Sequence, residues 1–323
     1  MLCPYCLHEA PEGNYKNNTC PENKCKVPPL YVREYRTSPP IIMNAIGFRQ
    51  HGKTIYFDAL FAALTDLSNV WAKFFTTPMS ERSLDIIHEH IGLLRDRGEL
   101  PNATNAVFPE PTLVRARHFP FQPSSTFLFY DTGGECFSRP STLVKNAHFV
   151  TRSKTALFLI SLPRFREDNE DEAAEMKKLL DIYINGMAEL PGSNTHKQHL
   201  VVVFTMADEL VPRFRGNWSD IEAHLKYGTL EQLKAHKEYW RSLPRISRRL
   251  YEFTRDELKA NEFLHEAEDS FASVNFTVVS SLGARPNGQR LSSQMSSKCI
   301  MDPLLWVVKH SATGMQAFLN GMG

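Results

Sequence analysis

Apolar positions along the chain fall into two rhythms. Short continuous runs at 41–46, 113–119, 126–130, 156–162, 199–205 and 276–279 read as strands. Several are apolar almost throughout, as expected where both faces of a sheet are covered. Longer segments at 54–65, 80–97, 170–187, 230–242 and 246–269 read as helices; in the first, Phe57, Leu60, Phe61 and Leu64 recur at helical spacing. Strands alternating with helices predict an α/β fold with a doubly wound, mostly parallel sheet. Ligands then belong at the carboxyl ends of the strands. Two helical insertions interrupt the alternation, at about 73–108 and 209–269, and residues 27–40, with four prolines, read as a linker into the first strand.

At 323 residues and 42% apolar composition, the chain can build one large or two modest domains. Its 37 basic and 36 acidic residues nearly cancel, so no general field draws nucleic acid or an anionic membrane. The apolar runs 156–162 and 200–204 are too short to span a bilayer. Cys3, Pro4 and Cys6 stand where a secretion signal would be apolar. A cytoplasmic protein without a membrane span is the expectation.

Four of the six cysteines fall within the first 25 residues, as Cys3-x-x-Cys6 and Cys20-x-x-x-x-Cys25. Two close thiol pairs across a short loop suit one tetrahedral Zn²⁺. Residues 7–19 between them are too polar to fold around a core of their own, and metal binding would supply that energy. Two disulfides or four free thiols are the alternatives, and disulfides fit the expected cytoplasmic setting poorly. The expected organisation is a zinc ribbon or knuckle over 1–30, followed by an α/β domain over 31–323. Cys136 and Cys299 are isolated and read as buried small hydrophobes.

The sharpest chemical signal is Gly47-Phe48-Arg49-Gln50-His51-Gly52-Lys53-Thr54, which fits G-x-x-x-x-G-K-[ST] without a mismatch. A strand run precedes it and a helix follows, which is the setting that this phosphate-binding loop needs. Its N–H groups and the helix N-terminus hold phosphate oxygens, Lys53 reaches the outer phosphates, and Thr54 offers its hydroxyl to Mg²⁺.

Further along, the strand 126–130 ends in Asp131-Thr132-Gly133-Gly134-Glu135. Asp131 is placed to hold Mg²⁺ through water, and two glycines let the backbone approach a phosphate, with the Gly134 N–H at the terminal one. At the end of 199–205 stands Thr205-Met206-Ala207-Asp208, which resembles the guanine-recognition motif [NT]-K-x-D; the resemblance implies that Asp208 accepts from the guanine nitrogens N1 and N2. After 276–279 comes Ser280-Ser281-Leu282-Gly283. By the same resemblance a switch threonine is implied between the first helix and the next long strand; Thr104 is preferred, in a polar loop after the inserted helix, with Thr112 as the alternative.

These motifs, in this order, resemble the translation-factor-related (TRAFAC) class of P-loop GTPases over about 41–310. D-x-x-G-E, a P-x-x-T element after an inserted helix, V-S-x-L-G and the late Asp302-Pro303-Leu304-Leu305-Trp306 are similar to a bacterial set called double-GTPase-like, some of which carry an N-terminal zinc ribbon. The resemblance implies a regulatory protein that hydrolyses GTP to GDP with Mg²⁺ and presents a switching surface to protein partners encoded alongside it, in some cases in bacterial conflict or antiviral defence systems. It implies a catalytic group of Lys53, Thr104, Gly134 and Glu135, and Mg²⁺ at Thr54, Thr104 and Asp131. The nucleotide set would be Gly47, His51, Gly52, Lys53, Thr54, Ile55, Asp131, Thr205, Asp208, Ser280, Ser281 and Leu282. Two departures matter. Glu135 stands where Ras-like members have a glutamine that orients water, and Met206 stands where the family has lysine.

Other residues read blandly. His88-Glu89-His90 lacks the spacing of a metal site, since histidines two apart point to different sides of a helix. Arg49 in the loop and the cluster Arg241, Arg245, Arg248 and Arg249 read as solvated cations. Two further functions stay open: a scaffold that holds nucleotide with little turnover, motivated by Glu135 and Met206, and nucleic-acid binding by the zinc module through Lys16, Lys24 and Lys26.

Overall fold

The computed structural model describes residues 1–311 apart from 103, 106, 120 and 121; the end of the expected 31–323 domain, residues 312–323, lies outside the described residues. In chain order the main elements are α1 Pro29–Glu34, β1 Pro40–Asn44, α2 Lys53–Asp66, β2 Phe75–Pro78, α3 Glu81–Gly92, β3 Thr112–Phe119 and β4 Gln122–Tyr130. Then come α4 Pro140–Asn146, β5 Thr155–Ile160, α5 Leu162–Glu167, α6 Glu172–Glu189, β6 His199–Phe204, α7 Ala207–Leu210, α8 Ser219–Tyr227, α9 His236–Asp256, α10 Asn261–Ser270, β7 Ser273–Val278 and α11 Asp302–Ser311.

The strands lie in the order β2-β3-β4-β1 and β5-β6-β7. Ile46 stitches the two segments edge to edge: its N–H donates to Leu157 O at 2.8 Å and its carbonyl accepts from Leu159 N at 2.7 Å. Asn44 Oδ1 adds a bond from Leu157 N at 3.3 Å. β1 runs parallel to β4, and β5, β6 and β7 run parallel to one another, while β3 pairs antiparallel with both β2 and β4. The result is an α/β fold with a mostly parallel sheet and helices on both faces.

The apolar runs explain that layering. In β5 and β6, Ala156, Phe158, Ile160, Leu200, Val202 and Phe204 pack into one core cluster with Leu180 and Tyr183 of α6 and Leu250 and Phe253 of α9. The alternate positions Leu157, Leu159, Val201 and Val203 join a second cluster with Phe57, Leu60 and Leu64 of α2 and Leu304, Leu305 and Trp306 of α11. Successive side chains of a strand point to opposite faces, so a run that is apolar throughout feeds both layers.

Three details differ from the pattern. The 73–108 insertion contains β2, a four-residue edge strand too short to show a period of its own. The helix expected over 80–97 stops at Gly92 and turns into a wider coil at Leu93–Arg97, closed by Gly98 at φ 63°. The break expected near 243–245 is absent, since α9 runs through Pro244. Trp240, Leu243, Ile246, Leu250 and Phe253 bury one face of it, which offsets the single hydrogen bond that proline removes. The chain turns instead at 257–260.

The first 27 residues form two short turns, each closed by an isolated bridge, Leu2 to Glu9 and Thr19 to Lys26. Leu2, Leu7, Tyr15 and Val27 belong to the first core cluster together with Tyr31 and Tyr130. Tyr130 Oη donates to Pro4 O at 2.5 Å and Tyr31 Oη to Leu2 O at 2.9 Å, so the module is docked on the sheet domain. Among the described residues, no helix is long and apolar enough to cross a membrane.

Candidate functional site

At the carboxyl ends of β1, β4, β6 and β7, their loops and the loop after α3 surround a cavity of about 410 Å³. The loop after β1 is held open by Gly52, whose φ of 79° is left-handed and disfavours any residue with a Cβ. Thr54 and Ile55 line the cavity where α2 begins, with the free N–H groups of the first helical turn behind them. Lys53 folds back, donating from Nζ to Gly47 O at 3.0 Å and Phe48 O at 2.7 Å. Burial pulls its pKa down to about 8, against the pull of the Asp131 and Glu135 charges.

Three side chains meet beside Lys53. Thr54 Oγ1 and Thr104 Oγ1 each donate to Asp131 Oδ2 at 2.8 Å, and the two hydroxyls lie 2.7 Å apart. Thr104 thus comes to Thr54 and Asp131 from the loop after α3; Thr112, the alternative, begins β3. Asp131 Oδ1 is sealed from solvent with no hydrogen-bond partner among the described residues, as is Thr132 Oγ1. Burial raises the Asp131 pKa, and the two threonine hydrogen bonds oppose it. The turn that follows crosses hard against the phosphate loop: a Cβ on Gly134 would overlap the backbone of Arg49 and Phe48. Glu135 faces the cavity and pairs with Arg49 at 3.7 Å, both side chains substantially exposed.

At the other end stand Thr205, Met206 and Asp208. Met206 has φ 53°, which turns the chain into α7 and leaves Ala207 N donating to Val279 O at 3.1 Å. Ser280 Oγ donates to Asp208 Oδ1 at 2.5 Å and accepts from Gly283 N at 3.1 Å. Ser281 and Leu282 line the cavity, whereas Ser280 is buried behind it as the residue that orients Asp208.

Gly47 and His51 also stand outside the cavity lining. His51 packs edge-on between Phe48 and Phe165, at centroid distances of 5.7 and 4.8 Å. Its Nδ1 lies 3.3 Å from both Leu159 O and Ser161 N, and its carbonyl accepts from Thr205 Oγ1 at 3.0 Å. Burial, then the Lys53 charge, lowers its pKa to about 3, so the ring is neutral at ordinary pH. His51 therefore wedges the loop onto β5 and β6.

One part of the site has no sequence signal. Leu100 N donates to Gln289 O at 2.9 Å and Leu291 N to Gly98 O at 2.8 Å, so the loop after α3 and the loop after β7 are tied across the cavity. Asn102, Arg285, Pro286 and Gln289 thereby join the rim, and Arg285 pairs with Glu167 and, at 3.6 Å, with Glu209. Backbone pairing between loops far apart in sequence leaves no trace in residue types. The rim could have been found only by following the charged side chains of 285–290.

The cysteine pairs also converge. The sulfurs of Cys3, Cys6 and Cys25 all lie within 4.8 Å of one another, and Cys20 Sγ is 3.6 Å from Cys6 Sγ. All four are free thiols, so the disulfide alternative is absent. Cys136 and Cys299 are buried, as expected of small hydrophobes. Cys299 Sγ also lies within 4.8 Å of ligand atoms of His224 and Asp302. There the carboxylate is already satisfied, by Tyr239 Oη at 2.6 Å, His224 Nε2 at 2.8 Å and Thr277 Oγ1 at 3.3 Å.

No protein-family model and no curated protein matches the chain. Among solved structures it is similar to the mammalian SRP receptor, at 14% identity and TM-score 0.37 over 84% of this chain and 100% of that one. It is also similar to the S. cerevisiae Ski7 GTPase-like domain bound to GTP, at 12% identity and TM-score 0.36 over 85% of this chain and 51% of that one. A third is Methanosarcina barkeri Roco2 RocCORdC bound to GDP, at 11% identity and TM-score 0.32 over 84% of this chain and 49% of that one. The chain thus spans the whole of the first and about half of the other two. Likenesses at these scores are distant, and the site has to be read from this chain's own residues.

Proposed function

We propose that the protein binds GTP with Mg²⁺ and hydrolyses it to GDP, changing a surface offered to a protein partner. The reading is carried by one observation: Lys53 with the loop amides, Thr54 and Thr104, both bonded to Asp131, and Asp208 line up along one cavity. Lys53 and the amides suit phosphate oxygens, and Asp208, oriented by Ser280, suits the N1 and N2 donors of guanine.

Two hydroxyls and a carboxylate whose second oxygen is sealed and unpartnered fit Mg²⁺, a hard cation that takes oxygen ligands and keeps waters. When bound, the ion neutralises phosphate charge. The chain's own part is positioning. Lys53 and the Gly134 N–H are placed for charge on the terminal phosphate, and Glu135 for holding the attacking water. Thr104 and the turn after Asp131 would order around that phosphate and release after its loss. The four converging thiols suit one Zn²⁺, with the module as a partner-docking element. A bacterial conflict-system setting belongs to the same proposal through its resemblance in sequence.

A second reading, a nucleotide-held scaffold with little turnover, is favoured by the Arg49–Glu135 pair, which engages the carboxylate proposed to hold the water. Calorimetry of nucleotide-free protein with GTP, GDP and ATP, followed by phosphate release, separates the two. GTP binding lost in Asp208→Ala, with turnover lost in Lys53→Ala, is the expected result. Tight GTP binding without turnover favours the scaffold, and equal affinity for ATP removes the guanine reading.

A further inference from the structure

A buried acid–base pair lies one helical turn behind the Thr54–Asp131 contact. Asp58 follows Thr54 by four residues on α2, so the two share a face, and helical side chains lean toward the N-terminus. Asp58 is 1% exposed. Its Oδ1 lies 2.6 Å from His90 Nδ1 on α3, while Oδ2 is sealed from solvent with no hydrogen-bond partner among the described residues. Asp131 Oδ1 is in the same condition. Native interiors rarely leave one buried carboxylate oxygen without a partner, and here two belong to neighbouring acids. The acids feel each other: burial, with the Asp131 charge adding, raises the Asp58 pKa to about 6 against the pull of His90.

Two orphaned acceptors and two repelling carboxyls beside a pair of hydroxyls are what a hydrated divalent cation resolves. The ion supplies positive charge, and each of its waters has protons to donate. We propose that Asp58 is an outer carboxylate of the magnesium site, accepting through Oδ2 from a water on the ion that Thr54, Thr104 and Asp131 hold. The inference rests on the proposed magnesium–nucleotide site. His90 holds Asp58 in the orientation that leaves Oδ2 free. It also comes from α3, whose C-terminal coil leads to the Thr104 loop, and Arg95 of that coil donates to Ala62 O at 3.0 Å and pairs with Asp66. The pair thus ties the segment bearing one inner ligand to the helix bearing another. Asp58 and His90 are positioning residues, and the bland alternative is a pin between α2 and α3.

Ion affinity separates these. The full chain loaded with GDP is titrated with Mn²⁺, and free ion is followed by electron paramagnetic resonance. Asp58→Asn, the same shape without the charge, should weaken Mn²⁺ binding about tenfold or more, leaving GDP affinity in EDTA within about twofold of wild type. His90→Ala should show part of that loss, and His90→Gln, whose amide can donate to Oδ1, should recover most of it. Unchanged Mn²⁺ affinity in Asp58→Asn, with Thr54→Ala losing it, overturns the inference and leaves the nucleotide site standing. A lower melting temperature without a change in ion affinity makes the pair a pin and overturns it too. A wild-type protein that takes up no GDP overturns both readings.

Discussion

His51 stands inside the phosphate-loop motif yet faces the sheet, and that choice has a measurable consequence. Its folded pKa of about 3 lies below the 6.5 usual for a histidine because burial penalises the charged ring. Between those values the unfolded chain binds a proton that the folded one refuses, so this contribution to stability is present above about pH 6.5 and is lost as pH falls. The slope is about 1.4 kcal/mol per pH unit for one group. Denaturant unfolding from pH 7 to pH 5 should therefore cost wild type about 2 kcal/mol more than His51→Gln. Parallel pH profiles for the two proteins would show that the ring does not stay neutral on folding. Met206 makes the opposite kind of case. Its Sδ accepts from Ser161 Oγ at 3.2 Å, so the residue that stands where the resembled motif has lysine fixes the chain beside Asp208.

Among the elements, the turn Gly134–Phe137 and the loop after β1 are the closest-fitting pair in the site. The contact works only because residue 134 lacks a Cβ, which would overlap the Arg49 backbone. Gly134→Ala must push the turn away from the loop, and with it the N–H proposed to meet the terminal phosphate. Single-turnover hydrolysis should fall by about a hundredfold or more, the usual loss when one aimed backbone donor goes, while GDP affinity changes little. Hydrolysis at the wild-type rate would remove Gly134 from the proposed catalytic group. This turn and loop were legible in the sequence because each is a local device: a few consecutive residues, glycine where the backbone is strained or crowded, and a strand or helix at its edge. Strands β5 and β6 were legible for the same reason, as runs apolar on both faces. The rim joining 98–100 to 289–291 was not, because its bonds are backbone to backbone. Nor was the continuity of α9, because Pro244 is a strong local break signal and the buried face from Trp240 to Phe253 that overrides it is tertiary. The His90–Asp58 pair escaped a motif search because its partners sit 32 residues apart on two helices.

At the scale of the whole molecule, the N-terminal module and the sheet domain share one core. Cys3 and Cys20 belong to the same cluster as Tyr130, which ends β4 beside Asp131, and as Phe158 in the middle of β5. Residues 1–27 contain no helix longer than one 3₁₀ turn, so the proposed Zn²⁺ would hold the shape of a surface on which the main core leans. Metal binding by such a module is folding energy for whatever packs on it. Purified protein should contain about one zinc per chain, bound by four thiolates. Stripping it with a chelator, or replacing Cys6 by alanine, should lower the melting temperature of the entire chain in one transition. It should also loosen the β4 end and weaken nucleotide binding, because Tyr130 loses its acceptor at Pro4. Protein that carries no zinc would remove the metal from the proposal. A separate low-temperature transition, with the main melt and nucleotide affinity unchanged, would instead show that the shared core does not couple the two parts. The module would then be a docking element whose folding the nucleotide site does not feel.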